Sequence, residues 1–243
     1  MELRGRAALV TGAGRRIGQA IAVGLARAGC DVAVHYHRSR EGAMAAADQI
    51  RQVGRRAQLL ESDLRDAGSA RGLADRAIDT FGHLDVVVNS AAILVHQAVE
   101  TVTPESWDDT LDLNLRACFF VAQGAIPHLR ATRGKIVNLA DVAAFEAWPG
   151  YVPHCISKAG VVMLTRSLAR ALAPDITVNA VAPGPVLLPE AWDAATRDRI
   201  VETTPLGRLG DPDDVVRAVR FLLEGSDFIT GTVLVVDGGR LIR

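Results

Sequence analysis

The sequence predicts an α/β fold in which a doubly wound parallel sheet of seven strands carries helices on both faces. The chain has 243 residues and is 49% hydrophobic, which is enough apolar material for one full core. Short apolar runs alternate with longer stretches of helical period. The run 85–89 contains three consecutive valines, typical of a strand buried on both faces. Because such alternation gives βαβ units, we expect one Rossmann-type domain over residues 1–243.

The individual elements follow from this alternation. We expect strands at Ala7–Val10, Val32–His35, Gln58–Leu60, Asp85–Asn89, Lys135–Leu139, Ile176–Val181 and Thr232–Val236. We expect helices at Ile17–Ala28, Glu41–Val53, Ala67–Phe81, Thr103 to about His128, Tyr151–Leu172 and Asp211–Leu223. Thr103 and Asp211 each precede a proline, which is a favourable helix start. The segment 185–204 has no sheet pattern, and we expect it to form a mobile lid over a substrate.

Composition narrows the class of protein. There are 27 Lys+Arg and 28 Asp+Glu residues, and the net charge of −1 offers no basic face for nucleic acid. The three cysteines, Cys30, Cys118 and Cys155, lack metal-ligand spacing, so we expect free buried thiols of a reducing cytosol and no metal. No apolar run is long enough to span a bilayer. We therefore expect a cytoplasmic protein with a small-molecule substrate and no nucleic-acid or membrane partner.

A glycine-rich turn follows the first predicted strand and reads Thr11-Gly12-Ala13-Gly14-Arg15-Arg16-Ile17-Gly18. Glycines here allow a tight turn and let backbone N–H groups reach a pyrophosphate at a helix N-terminus. An ordinary strand–helix turn is the alternative interpretation. Its position as the first turn of a βαβ unit favours dinucleotide binding.

The end of the second strand indicates which dinucleotide. A site for NAD usually has a carboxylate about 20 residues after the glycines, whereas this chain has His37, Arg38 and Ser39. A guanidinium and a hydroxyl suit a 2′-phosphate, and Arg15 can add charge from the glycine-rich turn. We therefore predict NADP(H). Asp63, after the third strand, is a candidate acceptor for the adenine amino group.

Taken in chain order, these and later motifs resemble the short-chain dehydrogenase/reductase family over essentially the whole chain. The matching positions are Thr11–Gly18, Asp63-Leu64, Asn89–Ala92, Asn114, Ile136–Leu139, Lys158, Asn179–Gly184 and Asp237–Gly239. The resemblance implies an NAD(P)(H)-dependent oxidoreductase that is commonly a homotetramer. The cofactor-binding residues it implies are Gly12, Gly14, Arg15, Arg16, Ile17, Gly18, His37, Arg38, Ser39, Asp63, Leu64, Asn89, Ala91, Lys158, Pro183, Gly184 and Val186.

At three positions the chain resembles the pteridine reductase branch of that family. Arg16 stands where most members have a glycine, the run His35–Ser39 matches a segment used for NADPH, and Asp141 stands where most members have the catalytic serine. The branch also places a substrate-stacking aromatic residue just after the fourth strand, where this chain has Ile93–Val95.

The catalytic motif departs from the family pattern. The family uses Tyr-x-x-x-Lys, and here His154 lies four residues before Lys158. The spacing of 13 residues from Asp141 matches the family's serine-to-tyrosine spacing. A threonine that often contacts the nicotinamide is replaced by Leu188, and the usual Asn-Asn-Ala-Gly is Asn89–Ala92.

The resulting set of catalytic candidates is Asn114, Asp141, Tyr151, His154 and Lys158. We expect Lys158 to hold the ribose, Asn114 to hold a proton-relay water and His154 to act as general acid. Asp141 would favour the imidazolium and Lys158 would disfavour it. Tyr151 shares the helix face of His154 and could lend its hydroxyl.

Two functions remain open on these residues. The first is an NADP(H)-dependent reductase of a small carbonyl or pterin-like ring. The second is a non-catalytic NADP(H)-binding protein, such as a sensor or a partner subunit. In either case we expect a homotetramer or homodimer that buries apolar parts of the helices at Thr103–His128 and Tyr151–Leu172.

Overall fold

The computed structural model describes residues 1–188 and 192–242. Within these residues seven strands form one sheet in the order β3-β2-β1-β4-β5-β6-β7, and every neighbouring pair is parallel. The strands are β1 (Ala7–Val10), β2 (Asp31–Tyr36), β3 (Ala57–Glu61), β4 (Val86–Asn89), β5 (Lys135–Leu139), β6 (Thr177–Pro183) and β7 (Val233–Val236). The predicted doubly wound fold is confirmed, and its strand order reverses between β1 and β4, where ligands of such sheets bind.

The helices are α1 (Arg16–Arg27), α2 (Arg40–Gln52), α3 (Ala67–Arg71), α4 (Leu73–Phe81), α5 (Pro104–Leu111), α6 (Ala117–Thr132), α7 (Val152–Leu172), α8 (Ala194–Glu202) and α9 (Pro212–Glu224). Gly72 ends α3 and begins α4, so the single helix predicted over this stretch is wrong. A π-helical turn at 112–116 joins α5 to α6, and the helix continues past the predicted end to Thr132. The segment 185–204 contains α8, and its residues 189–191 lie outside the described ones.

Alternate strand residues pack on opposite faces of the sheet, which explains the continuous valine run. Val86 and Val88 join a core cluster with α1 and α9, whereas Val87 joins the cluster formed with α4, α6 and α7. Both faces of the sheet are therefore covered by apolar side chains, and polar groups can reach ligands only at the strand ends. No helix in the described part of the chain is long and apolar enough to cross a membrane.

Candidate functional site

The glycine turn, residues 11–18, is packed so closely at its glycines that these positions leave no room for a side chain. A Cβ on Gly14 would lie 2.4 Å from Ser39 Oγ, and one on Gly18 would lie 2.4 Å from the Gly12 carbonyl oxygen. The first turn of α1 has neither a side-chain cap nor an acidic residue. Its free N–H groups and positive helix end therefore suit an anion such as a pyrophosphate.

Arg16 adopts a left-handed backbone conformation, with φ of +54°. This is the conformation that favours glycine, which accounts for the glycine that the family usually has at this position. The exposed Arg16 guanidinium donates a hydrogen bond to the Leu187 carbonyl. The glycine turn is thus connected to the beginning of the 185–204 segment.

The end of β2 presents basic side chains beside the glycine turn. Arg38 and Arg15 are exposed, while the Ser39 side chain lies against Gly14. His37 Nδ1 lies 3.9 Å from the Asp63 carboxylate. Burial raises the pKa of Asp63, but the Arg65 N–H and the His37 and Arg65 charges outweigh it and lower the pKa overall. Asp63 is therefore an ionised acceptor just after the carboxyl end of β3.

Asn89, at the end of β4, belongs to a buried amide network that the sequence did not predict. Its Nδ2 donates to Asn138 Oδ1 at 2.9 Å, and Asn138 Nδ2 donates to Thr165 Oγ1 at 2.9 Å. Among the described residues, the buried Asn89 Oδ1 has no hydrogen-bond partner. An unsatisfied acceptor at the switch point indicates a place for a ligand donor.

Lys158 is buried on α7, and its Nζ donates to the Leu139 carbonyl at 2.8 Å. Burial lowers the pKa of this ammonium, and the Asp141 carboxylate opposes that shift. The lysine is therefore held at the carboxyl end of β5, beside Asp141.

His154 is 4% exposed and has two distinct ring nitrogens. Its Nδ1 lies 3.1 Å from the Ile93 carbonyl oxygen, to which a ring N–H would donate, and 3.4 Å from Asn114 Nδ2, which would donate to a ring lone pair. Nε2 lies 3.9 Å from Asp141 Oδ2 and has no hydrogen-bond partner among the described residues. The Trp148 ring is stacked on the imidazole at 6.4 Å between centroids. Nε2 is therefore the ring nitrogen that is open to a further hydrogen bond.

Asn114 lies in the π-helical turn and is fully buried. Its side chain accepts from the Ile93 N–H at 2.8 Å and donates to the Ile93 carbonyl at 3.0 Å. Its Nδ2 also lies 3.1 Å from Ser157 Oγ. The amide thus clamps the segment after β4 instead of facing open space, and the expected water relay would need other atoms.

Tyr151 packs against aromatic neighbours at the entrance to this region. Its ring meets His96 edge-on at 5.0 Å and Trp148 at 6.0 Å. A catalytic use of its hydroxyl stays a prediction. Asn114, Asp141, His154 and Lys158 are brought together by these contacts, and we call these four residues the His154 cluster.

The remaining predicted cofactor residues lie at the ends of β6 and β7. Gly184 donates its N–H to the Val236 carbonyl at 2.9 Å, and a Cβ on it would lie 2.8 Å from the Asp237 Cα. Val186 is buried, while Pro183 ends β6. Of the cysteines, Cys30 and Cys118 are buried as expected, but Cys155 is only half-buried.

Sequence reasoning named Thr11 and His35 only as members of motifs and gave neither side chain a role in this site. Thr11 Oγ1 accepts the N–H groups of Ser90 and Ala91 at 2.9 and 3.1 Å, which ties the glycine turn to the end of β4. The buried His35 ring contacts the turn from β2. A polar residue inside an otherwise apolar strand was the available signal for His35.

Known proteins resemble this chain over nearly its full length. A family model described as enoyl-(acyl carrier protein) reductase matches residues 12–240. The 3-oxoacyl-[acyl-carrier-protein] reductase FabG of Staphylococcus aureus is 37% identical over 239 residues, which are 96% of this chain and 97% of the relative. The 2-dehydro-3-deoxy-D-gluconate 5-dehydrogenase of Escherichia coli is 35% identical, over 99% of this chain and 97% of its own.

Solved structures give the same picture. A short-chain dehydrogenase/reductase variant from Serratia marcescens has a TM-score of 0.92 at 32% identity, covering 99% of this chain and 100% of the other. A blue fluorescent protein from a metagenomic library, solved in complex with NADPH, also has a TM-score of 0.92 at 32% identity, covering 99% of each chain. The Staphylococcus aureus and Escherichia coli relatives are oxidoreductases by name. The chain belongs to the short-chain dehydrogenase/reductase family.

Proposed function

We propose that this protein is an NADP(H)-dependent reductase of a small carbonyl compound, with His154 as its general acid. The observation that carries the proposal is the arrangement around His154. Its Nε2 has no protein hydrogen bond among the described residues and lies 3.9 Å from Asp141. A general acid needs a nitrogen that is free to meet the substrate and a neighbour that stabilises its protonated form.

The residues present fit a nicotinamide cofactor with a 2′-phosphate. The uncapped start of α1 would hold the pyrophosphate, Arg38 and Ser39 the 2′-phosphate, and Asp63 the adenine. The Lys158 ammonium would hold the ribose hydroxyls. When bound, NADPH supplies a hydride to the substrate carbon.

His154 would supply the proton for the substrate oxygen. Nδ1 is enclosed by the Ile93 carbonyl at 3.1 Å and by Asn114 Nδ2 at 3.4 Å, so the transferred proton would be the one on Nε2, the nitrogen without a partner among the described residues. Donation leaves a neutral imidazole, which solvent reprotonates before the next turnover. The Lys158 cation, held at the Leu139 carbonyl, would stabilise the developing negative charge on the substrate oxygen.

The substrate class is inferred from the relatives and from the entrance to the site. The two relatives are named for a 3-oxoacyl thioester and a keto sugar acid, and both names describe carbonyl chemistry. Leu94, Val95 and Phe145 are exposed apolar side chains in the segments after β4 and β5, which suits a partly apolar substrate. A pterin-like ring remains in the proposal through the resemblance at Arg16 and Asp141.

A second function is favoured by the burial of His154. The imidazole is 4% exposed and stacked beneath Trp148, and imidazole is shorter than the phenol that the family uses. A non-catalytic NADP(H)-binding protein would keep the cofactor residues and tolerate a histidine that cannot reach substrate.

NADPH oxidation with a panel of quinones, diketones and dihydropterins distinguishes the two functions. We expect NADPH turnover with at least one carbonyl compound. Tight NADPH binding without turnover of any panel member, together with activity gained by His154→Tyr, would establish the binding protein instead.

We also propose a homotetramer or homodimer assembled through α5, α6 and α7. Their outer surface exposes Phe119, Ile156 and Met163 at 37%, 44% and 58%, and an apolar groove lies between Leu115 and Leu164. Light scattering at micromolar concentration should give a multiple of the 25.8 kDa chain mass; a monomeric mass contradicts the proposal.

A further inference from the structure

The His35 ring lies at the centre of three segments that meet at the cofactor end of the sheet. It is 2% exposed and stands on β2, between the glycine turn and the end of β3. Its Nδ1 lies 3.1 Å from the Gly12 backbone nitrogen, and its Nε2 lies 3.1 Å from the Ser62 carbonyl oxygen. The Ala13 N–H also donates to the His35 carbonyl at 2.8 Å.

These two ring contacts require one protonation state. The Gly12 N–H is a donor, so Nδ1 must offer a lone pair, and the Ser62 carbonyl is an acceptor, so Nε2 must carry the proton. The ring is therefore the neutral Nε2–H tautomer. Protonation of Nδ1 would place its N–H opposite the Gly12 N–H, and the hydrogen bond between the two residues would be lost.

Gly12 is closely packed within the turn. A Cβ on it would lie 2.8 Å from the Ala91 Cα, and its carbonyl oxygen leaves no room for a Cβ on Gly18. Its φ of +64° is accessible mainly to glycine. A bond that fixes the Gly12 nitrogen consequently fixes the start of α1, whose free N–H groups face the cofactor.

We propose that His35 is a positioning residue for the nicotinamide cofactor, holding the glycine turn through its Nδ1 lone pair, so that cofactor affinity depends on His35 remaining neutral. The inference rests on the proposed function, because it concerns the site that we assign to NADP(H). It goes further in giving a role to a side chain that touches neither the cofactor nor the substrate.

The surroundings of His35 keep it neutral near pH 7. Burial lowers the pKa of His35 to about 4, and the positive charges of Arg76 and His37 act in the same direction. The Ser62 hydrogen bond and the Asp63 carboxylate oppose this shift. In the folded protein the ring is neutral above about pH 4, whereas an unfolded histidine is protonated below about pH 6.5. His35 therefore contributes to the free energy of unfolding above pH 6.5, and this contribution is lost as the pH falls toward 4.

Two substitutions distinguish the effect of losing the Nδ1 lone pair from the effect of losing the imidazole ring. His35→Leu keeps apolar volume and removes the acceptor, whereas His35→Asn keeps an acceptor oxygen near the Nδ1 position. His83→Leu, a change of a half-buried histidine at the opposite end of the sheet that pairs with Asp85, is the matched control. Amide exchange at Gly12 and NADPH binding by fluorescence are measured on variants shown to be folded.

We expect His35→Leu to weaken NADPH binding about tenfold and to speed Gly12 exchange by a similar factor, the effect of one lost hydrogen bond. His35→Asn should restore both, and His83→Leu should change neither. As the pH falls through about 4, where the folded-state His35 takes up its proton, wild-type affinity should fall more steeply than that of His35→Asn. Both proteins share the titration of Asp63 and of the 2′-phosphate, so the difference between their affinities reports on His35 alone.

Equal NADPH affinity and Gly12 exchange in wild type and His35→Leu would overturn the proposal, as would equal weakening in the Leu and Asn variants. If His35→Leu does not fold, the comparison of wild type with His35→Asn decides, and equal pH dependence overturns the role. Wild-type protein that binds neither NADPH nor NADH refutes the proposed function instead, whereas the Gly12 exchange rates report on His35 without any cofactor.

Discussion

The glycine turn and the His154 cluster lie at the same edge of the sheet but are built in opposite ways. The turn is made of backbone atoms, and an added Cβ at Gly14 or Gly18 would lie 2.4 Å from a neighbouring atom. The cluster is made of side chains, and its central ring has one nitrogen bonded and one without a partner among the described residues. Cofactor binding should therefore depend on the spacing of backbone atoms, whereas the proposed chemistry should depend on the identity of a few side chains.

The largest effect should come from adding a methyl group to the glycine turn. In Gly18→Ala the new Cβ would be 2.4 Å from the Gly12 carbonyl oxygen, a backbone atom that cannot rotate away. We expect NADPH affinity to fall by about 100-fold or more, since the turn must move by far more than the ~0.5 Å that a preorganised site tolerates. Fluorescence titration measures it.

The matched control is Gly72→Ala, where the nearest atom to the new Cβ is 3.5 Å away and the backbone is helical. It should bind NADPH like the wild type. If Gly18→Ala also binds normally, the backbone account of the turn is wrong.

A change within the cluster should affect turnover and spare cofactor binding. His154→Ala should lower the rate of carbonyl reduction by about 100-fold, the usual contribution of a general acid, while the Kd for NADPH stays within a factor of about two of the wild-type value. The two quantities are measured on one preparation by absorbance and fluorescence. His128→Ala, which removes an imidazole paired with Asp75, is the control. Unchanged turnover in His154→Ala refutes the acid role.

Cofactor choice should respond to one exposed arginine. Arg38→Asp removes a charge-assisted contact and adds repulsion, so NADPH should bind at least about tenfold more weakly while NADH changes little. Titration with both cofactors gives the ratio. Arg51→Asp, at the far end of α2, controls for net charge. Tighter binding of NADH than NADPH by the wild type would contradict the assignment of NADP(H).

The smallest effect should come from the Asp141 carboxylate. In Asp141→Asn the neutral amide no longer places a negative charge 3.9 Å from His154 Nε2, so the rate of carbonyl reduction at neutral pH should fall by about threefold to tenfold, less than in His154→Ala. Initial rates at saturating NADPH test this. Asp112→Asn, which affects a surface ion pair with Arg116, should leave the rate unchanged, and an unchanged rate in Asp141→Asn would contradict the role of the carboxylate.

Local sequence patterns predicted most of the fold. The valine run at 86–88 and the cap-then-proline pairs at Thr103 and Asp211 correspond to β4, α5 and α9. The break at Gly72 and the π-helical turn at 112–116 were not predicted, because both are set by how the helix packs on its neighbours and not by its period.

The site was predictable where one motif contains it and unpredictable where distant segments meet. The glycine turn and the spacing from Asp141 to Lys158 are visible in the sequence. The link from Asn89 through Asn138 to Thr165 joins three elements, and no local pattern indicates it. His35 was seen only as part of a run, since its two partners, Gly12 and Ser62, come from other strands.

The π-helical turn at 112–116 acts as a phase shift in an otherwise continuous helix. The turn changes the rotational alignment of α6 relative to α5, and Asn114, which lies between the two helices, is buried. Since each residue of an α-helix adds about 100° of rotation, deleting one residue there would turn the whole of α6 relative to α5. Chain length at this one position therefore sets the alignment between the interior of the protein and its outer surface.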